Sequence, residues 1–286
     1  MHILVLGATG LLGNAVFHVL SEKKDWLVFG TLRTEESKRL FASKLNWNFV
    51  TGVDVLDQVD LIKVFEQTKP DVVINCISLA KPLLSAGKPL DIIPIYALLP
   101  HRLVHLCNLA GARLVHISTD GVFSGCKGQY AEDDIADARD LYGLSKLMGE
   151  VTDPNSIVLR TSMIGAELKA ANGLLAWFLS QHEICNCFSR VIFSGLPTVV
   201  LAQIIRDYII PKPELFGIYH VAAQPISKFD LLKLVAEIYG KTIKLNPVDQ
   251  PVYDRSLNPA RFRAATGYVA PEWTELIKTM RDYKLN

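Results

Sequence analysis

Tyr142 and Lys146 stand four positions apart in the stretch DLYGLSKLMGE, Asp140 to Glu150. If the stretch is helical, both side chains share one face. A phenol ordinarily keeps its proton until about pH 10. An ammonium about 4 Å away favours the phenolate by roughly 4 kcal/mol at an effective dielectric of 20. That would lower the phenol's pKa by up to about three units, toward the range where a general acid or base works best. The expectation is a tyrosine tuned downward by its lysine.

Two further groups point to the same chemistry. LVHISTDGVFSG ends an apolar run with Ser118 and Thr119, hydroxyls suited to holding a carbonyl oxygen. LVLGATGLLGNAVF spaces Gly7, Gly10 and Gly13 by three, between an apolar run and a helix-like stretch. Such a turn lets the backbone approach a ligand, and the free N–H groups of the following helix suit a pyrophosphate. Gly7, Thr9, Gly10, Leu11, Leu12 and Gly13 are therefore the expected cofactor-binding residues. A turn that serves only close helix–strand packing is the plainer explanation, and its position at the start of an alternating pattern argues against it.

The end of the second strand reads GTLRTEE. An NAD site would place an acid there for the ribose diol. Arg33 occupies that place, and a guanidinium suits a 2′-phosphate. NADP(H) is expected over NAD(H), although Glu35 and Glu36 stand nearby. Asp54, followed by Val55, closes the third strand and could accept from the adenine amine; a solvated loop carboxylate is the alternative.

These residues need a frame. HILVLG, WLVFGTLR, NFVTGVD, DVVINCIS, RLVHIST and SIVLRTS read as strands, separated by helices at 11–22, 57–69 and 92–111 and by the helix of Tyr142. Apolar strands alternating with helices predict an α/β, Rossmann-type, doubly wound parallel sheet. After about residue 162 the pattern changes to helices at 173–181, 198–209, 227–240 and 271–283, with short strand-like runs such as GIYHVA. The expected division is a binding domain over 1–162 and a smaller mixed α/β substrate lobe over 163–286, with segments free to interleave.

The chain has 286 residues, a net charge of +1 and 21% charged residues, which gives no electrostatic grip for nucleic acid or an anionic membrane. The start MHILVLGATG lacks the pattern of a signal peptide. No uninterrupted apolar run of about 18 residues is seen. Five dispersed cysteines fit reduced thiols better than a disulfide framework. A cytoplasmic protein without nucleic-acid or membrane partners is expected.

The glycine turn, Thr119 and the Tyr142/Lys146 pair together resemble the extended short-chain dehydrogenase/reductase family. Within it, STDGVFSG, YAEDD and DLYGLSKLMGE are similar to the dTDP-4-dehydrorhamnose reductase branch, with its pattern S-T-D-Y-V-F, Y-x-E-x-D and Y-G-x-S-K-x-x-G-E. The likeness spans residues 1 to about 165 and continues more loosely through RSLNPARFRAATGY. It implies an NADP-binding lobe, a nucleotide-sugar substrate, and Thr119, Tyr142 and Lys146 as catalytic residues, with Lys146 also on the nicotinamide ribose. It implies reduction of a 4-keto group of a nucleotide-activated 6-deoxy sugar, in cell-surface polysaccharide synthesis, and a homodimer is the assembly to test.

The pattern departs at two positions. Gly121 stands for a tyrosine, which is expected to open space on the substrate side, and Tyr96 for an asparagine that braces a helix and strand. Gly121 also removes the glutamate of the related dehydratases, and Arg33 with an exchangeable NADP argues against an epimerase that retains NAD. The rival from another class is a non-catalytic NADP-binding regulatory subunit, because the β subunit of methionine adenosyltransferase resembles this same branch. Asp120, Gly121, Arg255 and Arg261 are candidate substrate contacts; Arg255, Arg261 and Arg263 could meet a diphosphate or simply be solvated. Arg160 reads as structural. No metal is expected: His101 and His105 share a face without a third ligand, and Cys185 and Cys187 lack a partner pair.

Overall fold

The computed structural model describes residues 1–41, 47–79, 87–168 and 173–283. Six strands, β1 (His2–Leu6), β2 (Leu27–Leu32), β3 (Asn48–Thr51), β4 (Val72–Asn75), β5 (Arg113–Ile117) and β6 (Ser156–Arg160), lie in the spatial order 3-2-1-4-5-6. All neighbouring pairs are parallel. A seventh strand, Gly217–His220, pairs parallel with β6. GIYHVA thus returns from the second half of the chain to finish the first sheet.

Alternating side chains fill both faces. Ile3 and Val5 of β1 enter one core with Ala15, Phe17 and Leu201. Leu4 and Leu6 enter the other with Val73, Leu99 and Leu103. A strand buried on both faces has no polar side to show, which is why these runs read as continuously apolar. Each such side chain contributes about 1.5–3 kcal/mol on burial.

Helix Leu11–Ser21 follows the glycine turn, and Gln58–Thr68 is capped by Asp57, whose carboxylate accepts from the Val59 and Asp60 amides. Helix Leu141–Met148 is capped by Asp140, which accepts from Gly143 N. A continuous helix runs Pro89–Ala110, with a π turn over Pro94–Leu98. Pro100 has no N–H for the Tyr96 carbonyl four residues earlier. Gly149 packs onto that carbonyl so closely that a Cβ there would overlap it.

Helix Pro89–Ala110 packs one side into the core. At 22 residues it is long and apolar enough to cross a bilayer, although Asp91, His101 and Arg102 interrupt it in sequence. Here Ile92, Ile95, Tyr96, Leu99 and Leu103 are buried in the core.

The second half adds helices Thr198–Ile204, Lys228–Tyr239, Ala260–Thr266 and Trp273–Asp282. Short strands also form there: Ile184–Phe188 pairs in parallel with Lys244–Val248, a pairing the periodicity did not signal. Leu201, Leu231, Leu276 and Ile277 join the same core as Phe17 of the first helix.

Candidate active site

The strand order reverses between β1 and β4, the place where open parallel sheets leave a ligand crevice at their carboxyl ends. A cleft of about 470 Å³ lies there. Thr9–Leu12 after β1, Cys76–Leu79 after β4, Ile117–Thr119 at β5 and Thr161–Met163 after β6 form its walls, with Tyr142 and Lys146.

At the glycine turn, Gly7 has φ +82°, the left-handed region that favours glycine, and donates its N–H to Thr31 Oγ1 at 3.0 Å. A Cβ on Gly13 would collide with the Gly7 carbonyl group, so helix and turn meet at backbone distance. Gly10 caps the helix without a side-chain hydrogen bond, and no acidic residue occupies the first turn. The helix N-terminus therefore presents N–H groups and the positive end of its dipole to the cleft, an anion-binding arrangement.

Arg33 is exposed just past β2. Glu35, its possible competitor, bonds both Lys38 and Thr51 Oγ1, which holds its carboxyl below the usual range. Asp54 is exposed and accepts from Leu56 N at 2.9 Å, whereas Val55 is buried in the core. Neither they nor Arg33 line the cleft among the described residues.

Tyr142 and Lys146 do share a helix face and line the cleft with Thr119, and the Tyr142 ring and the Thr119 hydroxyl flank the same point beside Gly121. Thr119 Oγ1 also accepts from Gly121 N at 3.0 Å and donates to Asp120 Oδ1 at 3.2 Å. Lys146, 6% exposed, donates from Nζ to the Ile117 carbonyl at 2.6 Å. The expected pKa tuning is overturned. Burial raises the Tyr142 phenol above its ordinary value against the pull of the Thr119 hydroxyl, and the Asp120 and Asp140 carboxyls raise it further. The ammonium is committed to a backbone carbonyl and is itself lowered to about 8, first by burial. Desolvation therefore outweighs the attraction expected from helical spacing.

Ser118, also expected at the site, points elsewhere: its hydroxyl donates to Glu150 Oε1 at 2.6 Å. Glu150 and Arg160 form a buried bidentate pair at 2.9 and 2.7 Å, and Arg160 reaches His220 Nε2 at 3.3 Å. The structural reading of Arg160 holds. His220 in turn contacts the Tyr130 carbonyl through Nδ1 at 2.9 Å and donates its backbone N–H to Glu132 at 2.8 Å. Two residues of the YAEDD motif thus fasten the loop after β5 to the seventh strand.

On the substrate side, burial lifts Asp120 to about 6, against the pull of Arg255, Thr119, Lys228 and Ser162. Arg255 stacks over Tyr253, and its Nε is buried without a hydrogen-bond partner among the described residues. Arg261 is exposed and lies over Tyr219 instead. Gly121 corrects a second expectation. It is buried, and a Cβ there would sit 3.2 Å from Tyr142 Cε1 and 3.3 Å from Thr119 Oγ1. The glycine permits close packing against the phenol rather than opening the pocket.

Cys76, Ile77, Leu79, Thr161, Ser162 and Met163 were not singled out from sequence. Their place immediately after β4 and β6 was the available signal, because crevice walls come from carboxyl ends of strands. His101 contacts the Met148 carbonyl at 2.7 Å, and the described residues hold no cluster of three or more potential metal ligands.

The family model described as RmlD substrate binding domain matches residues 1–283. Methionine adenosyltransferase 2 subunit beta of Xenopus laevis is 26% identical over 272 residues, 87% of this chain and 76% of that protein. A hypothetical dTDP-4-dehydrorhamnose reductase from Sulfolobus tokodaii superposes with a TM-score of 0.77 at 26% identity, covering 96% of this chain and 98% of that one. The dTDP-4-dehydrorhamnose reductase from Bacillus anthracis, solved in complex with NADP, gives 0.78 at 21% identity, with 98% of each chain covered, a likeness of fold. The chain belongs to the RmlD substrate-binding-domain family of extended short-chain dehydrogenases/reductases.

Proposed function

We propose that this protein is an NADPH-dependent reductase of the 4-keto group of a nucleotide-activated 6-deoxy sugar. The observation that carries the reading is that Thr119, Tyr142 and Lys146 line the same cleft as Thr9 and Gly10 of the glycine turn. NADPH, when bound, would supply the hydride for the sugar C4 and leave as NADP+. Gly7, Gly10 and Gly13 with the helix N-terminus would hold the pyrophosphate, and Arg33 the 2′-phosphate. The NADP in the Bacillus anthracis relative supports that preference.

Thr119 and Tyr142 hydrogen-bond the carbonyl oxygen, and Tyr142 gives it a proton as the carbon gains hydride. A phenol raised by burial still carries its proton at neutral pH, the state a donor needs. An alkoxide is far more basic than a phenolate, so the transfer runs downhill. Lys146 would meet the nicotinamide ribose, and Asp120 with Arg255 would face the sugar nucleotide. The reading includes a cytoplasmic enzyme in polysaccharide precursor synthesis, assembled as a homodimer.

The test is NADPH oxidation with a panel of dTDP- and UDP-linked 4-keto-6-deoxy sugars. Turnover is expected, and Tyr142→Phe should lose it by at least a hundredfold while binding NADPH normally. A second reading, a regulatory subunit, is favoured by the likeness to methionine adenosyltransferase 2 subunit beta. NADPH binding without turnover of any sugar, together with a stable complex with a methionine adenosyltransferase, would decide for it.

A further inference from the structure

Tyr96 lies in the π turn of helix Pro89–Ala110 and is 1% exposed. Its ring touches both residues assigned to the chemistry. The Lys146 ammonium stands over the ring face, 5.1 Å from the centroid. The Tyr142 ring meets it edge-on at 5.3 Å and 86°. The hydroxyl reaches the other way: it accepts from Leu79 N at 2.8 Å and hydrogen-bonds Ser78 Oγ at 3.0 Å. Ser78 and Leu79 are cleft walls that follow β4.

We infer that Tyr96 is a positioning residue, a single side chain that fixes the Lys146 ammonium and the Tyr142 ring relative to the cleft wall after β4. A ring face attracts a cation through its quadrupole, and a desolvated site strengthens that attraction. Edge-to-face contact sets the angle of the Tyr142 ring, which holds its hydroxyl toward Thr119. The hydroxyl bonds prevent the Tyr96 ring from turning away. Helix Leu141–Met148 is held close to Tyr96 on its backbone side as well, through Gly149 against the Tyr96 carbonyl. Lys146 is also acted on by the Ile117 carbonyl, by Glu150 from beyond its own helix, by Cys76 after β4 and by His116 on β5.

The inference deepens the reductase reading and rests on it, but its test uses neither coenzyme nor sugar, so the two can fail separately. The full chain is acetylated competitively with acetic anhydride across pH. The peptide carrying Lys146 is followed by mass spectrometry, with Lys146→Arg to identify it. Tyr96→Phe keeps the ring and should leave the Lys146 midpoint unchanged. Tyr96→Leu keeps apolar bulk without the ring face and should lower the midpoint by about half to one and a half units. A midpoint unmoved or raised in Tyr96→Leu overturns the proposal. Should Tyr96→Leu fail to fold, amide exchange at Leu79 in Tyr96→Phe decides. Acceleration of roughly two- to tenfold supports the hydroxyl anchor, and unchanged exchange overturns it.

Discussion

Tyr142 stands beside Thr119, and Lys146, one turn further along the helix, donates to the carbonyl of Ile117, two residues earlier on the strand end. The helix advances about 6 Å over four residues. A strand advances about 6.6 Å over two. The helix and the end of β5 thus match at two successive points, running in opposite directions, and the two side chains are held as a pair.

Lys146 is expected to cost the fold stability at neutral pH. Its folded pKa, about 8, lies below the ordinary 10.5. Below pH 8 both folded and unfolded chains carry the charge, and the folded one bears the full burial penalty. Between pH 8 and 10.5 the unfolded chain binds more protons, so this group's effect makes stability rise with pH. Lys146→Met should therefore be more stable than the parent at pH 7, by up to about 3 kcal/mol. That gain should fade toward pH 10.5 in paired urea unfolding curves. A gain that is constant with pH would rule out the shift.

Gly143 follows the catalytic candidate and has no room for a methyl group. A Cβ there would overlap the Gly121 carbonyl and lie 2.6 Å from Ala138 Cβ. Gly143→Ala should lower stability by about 1–3 kcal/mol. It should also reduce kcat by up to about a hundredfold through displacement of the Tyr142 hydroxyl. Leu144→Ala, on the exposed side of the same helix, is the control and should leave kcat unchanged.

Glu150→Ala would leave the Arg160 guanidinium buried without its carboxylate and Ser118 without its acceptor. A loss of about 3–5 kcal/mol in chemical denaturation is expected. Replacing both members with apolar residues of similar volume should recover much of it, which a double-mutant comparison would measure.

Arg33→Ala should weaken NADPH binding at least tenfold in fluorescence titrations and leave NADH nearly unaffected. It should also flatten the salt dependence of NADPH binding. Equal weakening of both coenzymes would contradict the 2′-phosphate role.

Read alone, the sequence determined the local features. Gly7, Gly10 and Gly13, the order of β1 to β6, the cap at Asp57 and the shared face of Tyr142 and Lys146 are all matters of short-range spacing, and short-range spacing follows from backbone geometry. The tertiary structure decided what happens to the charges and partners. It committed Lys146 to the Ile117 carbonyl, sent Ser118 to Glu150, and brought Gly217–His220 back beside β6. It also reversed the expected direction of the Tyr142 shift, because desolvation depends on every element packed around a group and not on its neighbours along the chain. Spacing chose which side chains could meet, and burial set the state in which they do.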